Sequence, residues 1–100
     1  MYIKIHSIHF DTDEKLEKFI HEKLSRVERF ASKIIGAEVF LKLDHNKGTV
    51  KDKIAEIKLK LPGKTLYAEE RSMLFEESVE LASDSIVRQV KKHKEKIQQE

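Results

Sequence analysis

The chain has 100 residues and no cysteine, so it has the size of a single domain and can form neither disulfide bonds nor thiolate metal sites. Its N-terminus alternates polar and apolar residues where a signal peptide needs an apolar run, and no apolar stretch approaches the ~20 residues of a membrane span. These features favour a soluble cytoplasmic protein without a membrane partner. The formal net charge is only +2 although 38% of the residues are charged, so the distribution of charge is more informative than its sum.

Three elements are predicted in the first half of the chain. Residues 2–8 alternate between apolar and polar side chains, with Ile3 and Ile5 on one face, which is typical of a strand. Helix-capping residues at 11–13 precede an amphipathic helix that is expected to end at about Ala31. The apolar face of this helix consists of Leu16, Phe19, Ile20, Leu24, Val27 and Phe30. Gly36 then interrupts the regular pattern of the chain, and AEVFLKLD predicts a second strand.

Three more elements follow a polar loop, DHNKGT. KIAEIKLKL predicts a third strand, Pro62-Gly63 is a turn signal, and KTLYAEE supplies a short fourth strand. The last element is a helix that begins near Ser72 and runs to about Gln98. Its apolar seam consists of Phe75, Val79, Ala82, Ile86, Val90 and Ile97. The order β-α-β-β-β-α predicts an α+β fold in which both helices cover one face of a four-stranded sheet.

The other face of this sheet is expected to be exposed to solvent, because its residues are polar. They are Lys4, His6, Glu38, Lys42, Glu56, Lys58 and Lys60. The outer surfaces of the two helices then lie on the opposite side of the molecule from this open sheet face.

Charge is separated along the last third of the chain. Residues 67–85 contain six acids and one base, whereas residues 86–100 contain five bases and two acids. At about 100° per residue, Arg88, Lys91 and Lys92 share an outward arc of the last helix. The C-terminal end of this helix is therefore strongly basic.

Bases of the first helix lie on one flank when the helical spacing is extended to residue 33. This flank consists of Lys15, Arg26, Arg29 and Lys33. If both helices pack on one face of the sheet, the flank lines a groove against the basic end of the last helix, which suits phosphate groups. The same charges are also typical of ordinary solvated helix ends, because cations favour the negative end of the helix dipole. Charge alone leaves both interpretations open.

Enzyme chemistry has little support in the sequence. His6 and His9 form an H-x-x-H, but on a strand they point to opposite faces and no second ligand pair follows, so neither a metal nor a cofactor is predicted. His93 lies in the apolar arc of the last helix without a neighbouring nucleophile, and the three glycines stand alone rather than in a phosphate-binding run. The sequence therefore predicts a protein that is not an enzyme.

Three segments of the chain carry a resemblance to a known family. They are KFIHEKLSRVERF, IAEIKLKLPGKTLYAEE and, above all, FEESVELASDSIVRQVKKHKEKI. In these segments and in the order of its elements, the chain resembles the ribosome hibernation-promoting factors, also called ribosome-associated translation inhibitors or sigma-54 modulation proteins. The most specific part is the end, where the family tends to show an aliphatic residue and an acid, then Arg-Gln, then Lys-His-Lys or Lys-Tyr-Lys. Here these are Val79-Glu80, Arg88-Gln89 and Lys92-His93-Lys94.

The resemblance implies a protein that binds the small ribosomal subunit in its decoding channel, where messenger and transfer RNA would otherwise lie. Such a protein blocks initiation and preserves idle ribosomes under stress or in stationary phase. The implied contacts are with the backbone of 16S ribosomal RNA, and neither DNA nor a cofactor is implied. The residues that match the family's RNA-contacting motifs are Lys23, Arg26, Arg88, Lys91, Lys92 and Lys94. Arg29 and Lys33 are predicted only from their place on the basic flank.

Two features distinguish the chain within this family. Ser85 stands where members commonly have a lysine, three residues before the Arg-Gln step, which removes one expected phosphate contact. The chain also stops just after the last helix, so it is similar to the short form of the family, without the C-terminal dimerisation domain of the long form.

The acidic segment from Glu69 to Asp84 supports a hypothesis of another class. It predicts a protein-interaction module, such as a regulator of a sigma factor, that acts through this acidic surface. Reversing the charge of Lys91, Lys92 and Lys94 should abolish RNA binding and spare such an interaction.

Overall fold

The computed structural model describes residues 1–8, 10–44 and 53–98, which form a four-stranded sheet and two helices. The elements are β1 (Tyr2–Ser7), α1 (Glu14–Val27), β2 (Gly36–Leu43), β3 (Lys53–Leu61), β4 (Lys64–Ser72) and α2 (Phe75–Gln98). The strands lie in the order β1-β2-β3-β4. β1 pairs with β2 in parallel, and the other two pairings are antiparallel. The predicted fold class and element order are confirmed.

Local signals in the sequence explain how these elements connect. A parallel pair of strands needs a crossover connection, and α1 supplies it between β1 and β2. α1 begins at Asp13, whose carboxylate accepts a hydrogen bond of 2.7 Å from the backbone amide of Leu16. Between β3 and β4, Gly63 has a φ of 75°, a left-handed conformation that glycine adopts without steric cost. These connections place both helices on the same face of the sheet.

The apolar core lies between that face and the helices, and the helical periodicity predicts it well. α1 buries Leu16, Ile20, Leu24 and Val27, and α2 buries Val79, Ala82, Ile86 and Val90. The prediction is wrong for Ile97, which is 57% exposed. Val90 is the last buried residue of α2 in the described part of the chain, so the helix continues past the core and Ile97 has no core to join.

Several predicted boundaries shift. α1 ends at Val27, because the amides of Arg29 and Phe30 bond to carbonyls only three residues back and tighten the chain into a turn. β4 is as long as β3, not short, because it pairs along the whole of that strand. Gly36 is the first residue of β2, and the ring of Tyr2 lies so close to it that a Cβ would clash. His9 and the predicted loop at 45–49 lie outside the described residues.

Two buried serines fix the start of α2 against the sheet. The hydroxyl of Ser78 donates a hydrogen bond of 2.6 Å to the backbone carbonyl of Lys53, and its oxygen lies 3.0 Å from that of Ser72. The Ser72 hydroxyl also accepts a bond from the Leu74 amide. α2 is therefore tied to the first residue of β3 and the last residue of β4 near the start of its apolar seam.

We expect the substitution Ser78→Ala to lower the free energy of unfolding by about 1–3 kcal/mol, because it removes a buried hydrogen bond between elements. Chemical denaturation measures this change. Ser83→Ala is a matched control, since Ser83 is also buried on α2 but, among the described residues, its hydroxyl bonds to the Glu80 carbonyl of its own helix and to no other element. Equal losses for the two variants would contradict the role of Ser78 as a tie.

Candidate functional site

Basic side chains gather where the segment after α1 meets the C-terminal part of α2. Arg29 lines a shallow cleft together with Lys91, Lys94 and one acid, Glu95, and Lys33 lines a neighbouring cavity together with Lys94. The ammonium of Lys91 lies 4.7 Å from the centre of the Phe30 ring, and Phe30 lines both depressions. We call the group Arg29, Lys33, Lys91 and Lys94 the basic end. Two separate parts of the sequence thus supply one cationic surface.

The chain that leaves α1 brings Arg29 and Lys33 to this surface. Both residues lie beyond Val27, so they are not on the helical flank from which they were predicted. They reach α2 because the turn after α1 and the segment leading to β2 run past the C-terminal part of α2. Arg26, on the last turn of α1, shares a shallow depression with Arg29 and extends the basic end along α1.

The basic end differs from Lys23, Lys42 and Lys60, whose charges are engaged in ion pairs. None of its four residues forms an ion pair with another described residue, and all four are exposed, so water and ligands reach them. Three cations and one acid, Glu95, line the cleft, and cations that outnumber the neighbouring acids raise the local positive potential. This surface is therefore suited to bind a polyanion.

Lys23 lies between the two helices rather than at the basic end. Its side chain is only 14% exposed, its ammonium forms an ion pair of 3.2 Å with Glu80, and it lies 5.4 Å from the centre of the Phe19 ring. The charge of Lys23 is thus engaged within the protein, where it links α1 to α2. An RNA contact by Lys23 would have to compete with this ion pair.

Lys92 and Arg88 do not line the clefts of the basic end. Lys92 lines a groove with Lys64 and Lys96, so these three residues form a second basic cluster beside β4. Lys64 was missed by sequence reasoning, because only the three-dimensional fold brings the start of β4 next to α2. Arg88 is exposed and forms no ion pair within the described part of the chain.

Gln89, the second residue of the Arg-Gln step, forms hydrogen bonds within the protein. Its side-chain amide donates a hydrogen bond of 2.8 Å to the backbone carbonyl of Tyr67 and another of 3.2 Å to the hydroxyl of Ser85. Gln89 therefore anchors α2 to β4 and sets the direction in which the neighbouring cations project. Ser85 supports this anchor at the position where the family commonly has a lysine.

Two of the four lysines of the open sheet face, Lys42 and Lys60, are paired with acids. Lys60 bonds to Glu38 at 2.8 Å and Lys42 bonds to Glu56 at 2.5 Å. The hydrogen bond to Lys60 lowers the pKa of Glu38, and the bonds to the carboxylates raise the pKa values of Lys60 and Lys42. Each acid thus cancels much of the charge of its lysine, so this face offers a polyanion less than the basic end does.

The acidic segment does not form one surface. Glu69 lies on the open sheet face, opposite Glu56 of β3, whereas Glu76, Glu77 and Asp84 are exposed on α2. Glu80 is paired with Lys23. The structure therefore divides the acids of 69–84 between two sides of the molecule.

The described residues contain neither a candidate metal site nor a helix suited to span a membrane. Among them, no group of three or more His, Asp or Glu side chains is placed to hold a metal ion. His6 stacks on Phe40, with ring centres 4.7 Å apart, and its Nε2 lies 3.4 Å from a carboxylate oxygen of Glu38. Neither helix in the described part of the chain is long and apolar enough to cross a membrane.

Two solved structures share this fold across almost their whole length. A ribosomal subunit interface protein from Coxiella burnetii matches with a TM-score of 0.83 at 24% identity, covering 94% of this chain and 98% of its own. The N-terminal domain of Protein Y from Thermus thermophilus matches with a TM-score of 0.81 at 26% identity, covering 93% of this chain and 99% of its own. Both comparisons support the fold described above.

Relatives in sequence carry names that refer to ribosome hibernation. A ribosome hibernation promoting factor of Pseudomonas putida is 31% identical over 98 residues, which are 98% of this chain and 91% of the relative. A ribosome hibernation promotion factor of Deinococcus radiodurans is 30% identical over 84 residues, 84% of this chain and 44% of the relative. The family profile described as Sigma 54 modulation protein / S30EA ribosomal protein matches residues 3–98. The chain therefore belongs to the Sigma 54 modulation / S30EA ribosomal protein family, a family of ribosome-associated hibernation proteins.

Proposed function

We propose that this protein binds the small ribosomal subunit in the channel that messenger and transfer RNA occupy, and that it thereby inhibits translation and preserves idle ribosomes. The basic end supports this proposal most directly, because cations from the turn after α1 and from α2 converge there, outnumber the one acid of the cleft and form no ion pair with a described residue. The names of the relatives, which refer to ribosome hibernation and to a subunit interface, agree with it.

The phosphate backbone of 16S ribosomal RNA is the polyanion that we assign to the basic end. Lysine and arginine bind phosphates through charge-assisted hydrogen bonds, and each contact releases counterions from the RNA. Arg26 extends the contact along α1, while Arg88 and the second basic cluster extend it along α2. Affinity comes from these phosphate contacts, and specificity comes from the fit between the shape of the protein and the shape of the RNA.

Inhibition in this proposal requires no chemical step. A folded protein in the channel excludes messenger and transfer RNA by occupying their volume. The packing of α1 and α2 on the sheet fixes the backbone positions from which the cations project, so less of the chain has to be ordered on binding.

Co-sedimentation of the purified protein with small ribosomal subunits over a salt series tests the proposal. We expect saturable binding to subunits that weakens as salt rises, and much weaker binding to a naked structured RNA of similar length, because phosphate contacts alone do not supply the fit. Absence of binding to subunits at low salt would contradict the proposal. Equal binding to the subunits and to the naked RNA would show that the protein binds polyanions in general.

Charge reversal at Lys91→Glu and Lys94→Glu should weaken subunit binding by about tenfold or more and reduce the salt slope by roughly 0.7–0.9 for each lost phosphate contact. The matched control is Lys4→Glu with Lys58→Glu on the open sheet face, which changes the net charge equally. These two lysines also lack ion pairs among the described residues. Similar losses in both double variants would mean that net charge matters and the basic end does not.

A further inference from the structure

We infer that an apolar cavity at the basic end accepts an unstacked nucleobase of the RNA whose phosphates the neighbouring cations bind. The inference rests on the proposed function and adds a second kind of contact to it. It assigns a binding site for a base, where the proposed function assigns only contacts with the RNA backbone.

The cavity lies between the segment after α1, the turn between β3 and β4, and the last turns of α2. It measures about 360 Å³, which is within the usual range of about 300–1,000 Å³ for small-ligand pockets. Its wall includes Phe30, Leu61, Val90 and Ile97. Val90 is almost fully buried, whereas Ile97 is 57% exposed, so the wall runs from the core outward to solvent.

The position of Ile97 explains why the cavity is open. Ile97 continues the apolar seam of α2 by two turns beyond Val90, but no strand of the described residues covers it there. The seam therefore presents an apolar side chain to water at the edge of a basic surface. An apolar ligand that enters the cavity removes this surface from water, which is favourable.

The rim of the cavity carries only positive charge among its described residues. Lys33 and Lys94 line it, together with His93, and no Asp or Glu is among the lining residues. A ligand that fits has an apolar, flat part for the interior and a negative group for the rim. A nucleotide combines both, because its base is flat and its phosphate is only a sugar away.

Aromatic rings in the lining favour a base over an aliphatic side chain. Phe30 comes from the segment after α1 and His93 from α2, and both line the same cavity. Bases stack on such rings whatever their sequence, because every base has a π face. Only an unpaired, unstacked nucleotide can place its base there, so the cavity selects single-stranded or bulged RNA over duplex.

Short single-stranded RNA provides the test. The probes are an oligoriboadenylate and an abasic ribose-phosphate oligomer of the same length, which carry the same phosphates. We expect the native protein to bind the oligoriboadenylate about tenfold more tightly, measured by fluorescence anisotropy, because base stacking on an aromatic side chain contributes an effect of this order. An equal affinity for the two probes would overturn the inference.

Two variants locate the preference in the cavity. Ala31→Leu narrows the cavity without changing charge, and should bring the ratio of the two affinities close to one while leaving the affinity for the abasic oligomer and its salt slope unchanged. Ile97→Lys adds a cation at an exposed position, so purely electrostatic binding predicts tighter binding of both probes. If the cavity holds a base, the ratio of the affinities for the oligoriboadenylate and the abasic oligomer falls, because a lysine replaces an apolar residue of the cavity wall. A ratio that stays near tenfold in both variants would overturn the assignment to this cavity.

Binding to small ribosomal subunits separates this inference from the proposed function. If subunits bind and the native ratio is one, the cavity fails and the proposed function stands. If subunits do not bind but the ratio is tenfold, the proposed function fails and the cavity remains a site for bases. If Ala31→Leu weakens subunit binding while the ratio is one, the occupant is an apolar side chain of a ribosomal protein, and the assignment to a nucleobase is wrong.

Discussion

The apolar seam of α2 packs on the sheet from Val79 to Val90, and the place where this contact stops determines where the candidate site lies. Hydrogen bonds of Ser78 and Gln89 fix α2 to β3 and β4 at two points along this seam. α2 has 24 residues and spans about 36 Å, whereas the nine-residue strands beneath it span about 30 Å. Because the start of the helix is fixed, the excess length extends beyond the core at the C-terminal end.

The projecting end separates the charges of the protein in space. Along the buried part of the seam, Glu80 of α2 forms an ion pair with Lys23 of α1, so its charge is neutralised within the protein. Beyond Val90, the helix carries Lys91 and Lys94 next to the turn after α1, and no acid among the described residues pairs with them. A net charge of only +2 is thus compatible with a strongly cationic surface. The same projection leaves the apolar cavity partly open beside these cations.

Periodicity predicted most of the fold, because burial against one flat face imposes a regular spacing on strands and helices. It could not show where the sheet ends, so it placed Ile97 in the core. In the candidate site, Arg29 and Lys33 were predicted from a helix that in fact ends at Val27, and they reach the basic end through a turn that spacing does not reveal. Lys64 was missed for the same reason, since its proximity to α2 depends on the register of β4. The sequence shows which residues are apolar and which are charged. Which of them become neighbours across different elements depends on how those elements pack.

The claim that the basic end faces ribosomal RNA is tested most directly by ultraviolet cross-linking of the protein to small ribosomal subunits, followed by mass spectrometry of the cross-linked peptides. We expect nucleotides of 16S ribosomal RNA attached to peptides that contain residues 26–33 and 88–97, with few on peptides of the open sheet face at 54–60. Cross-links confined to the open sheet face or to residues 69–84 would contradict the account, because the cations of the basic end would then lie away from the RNA.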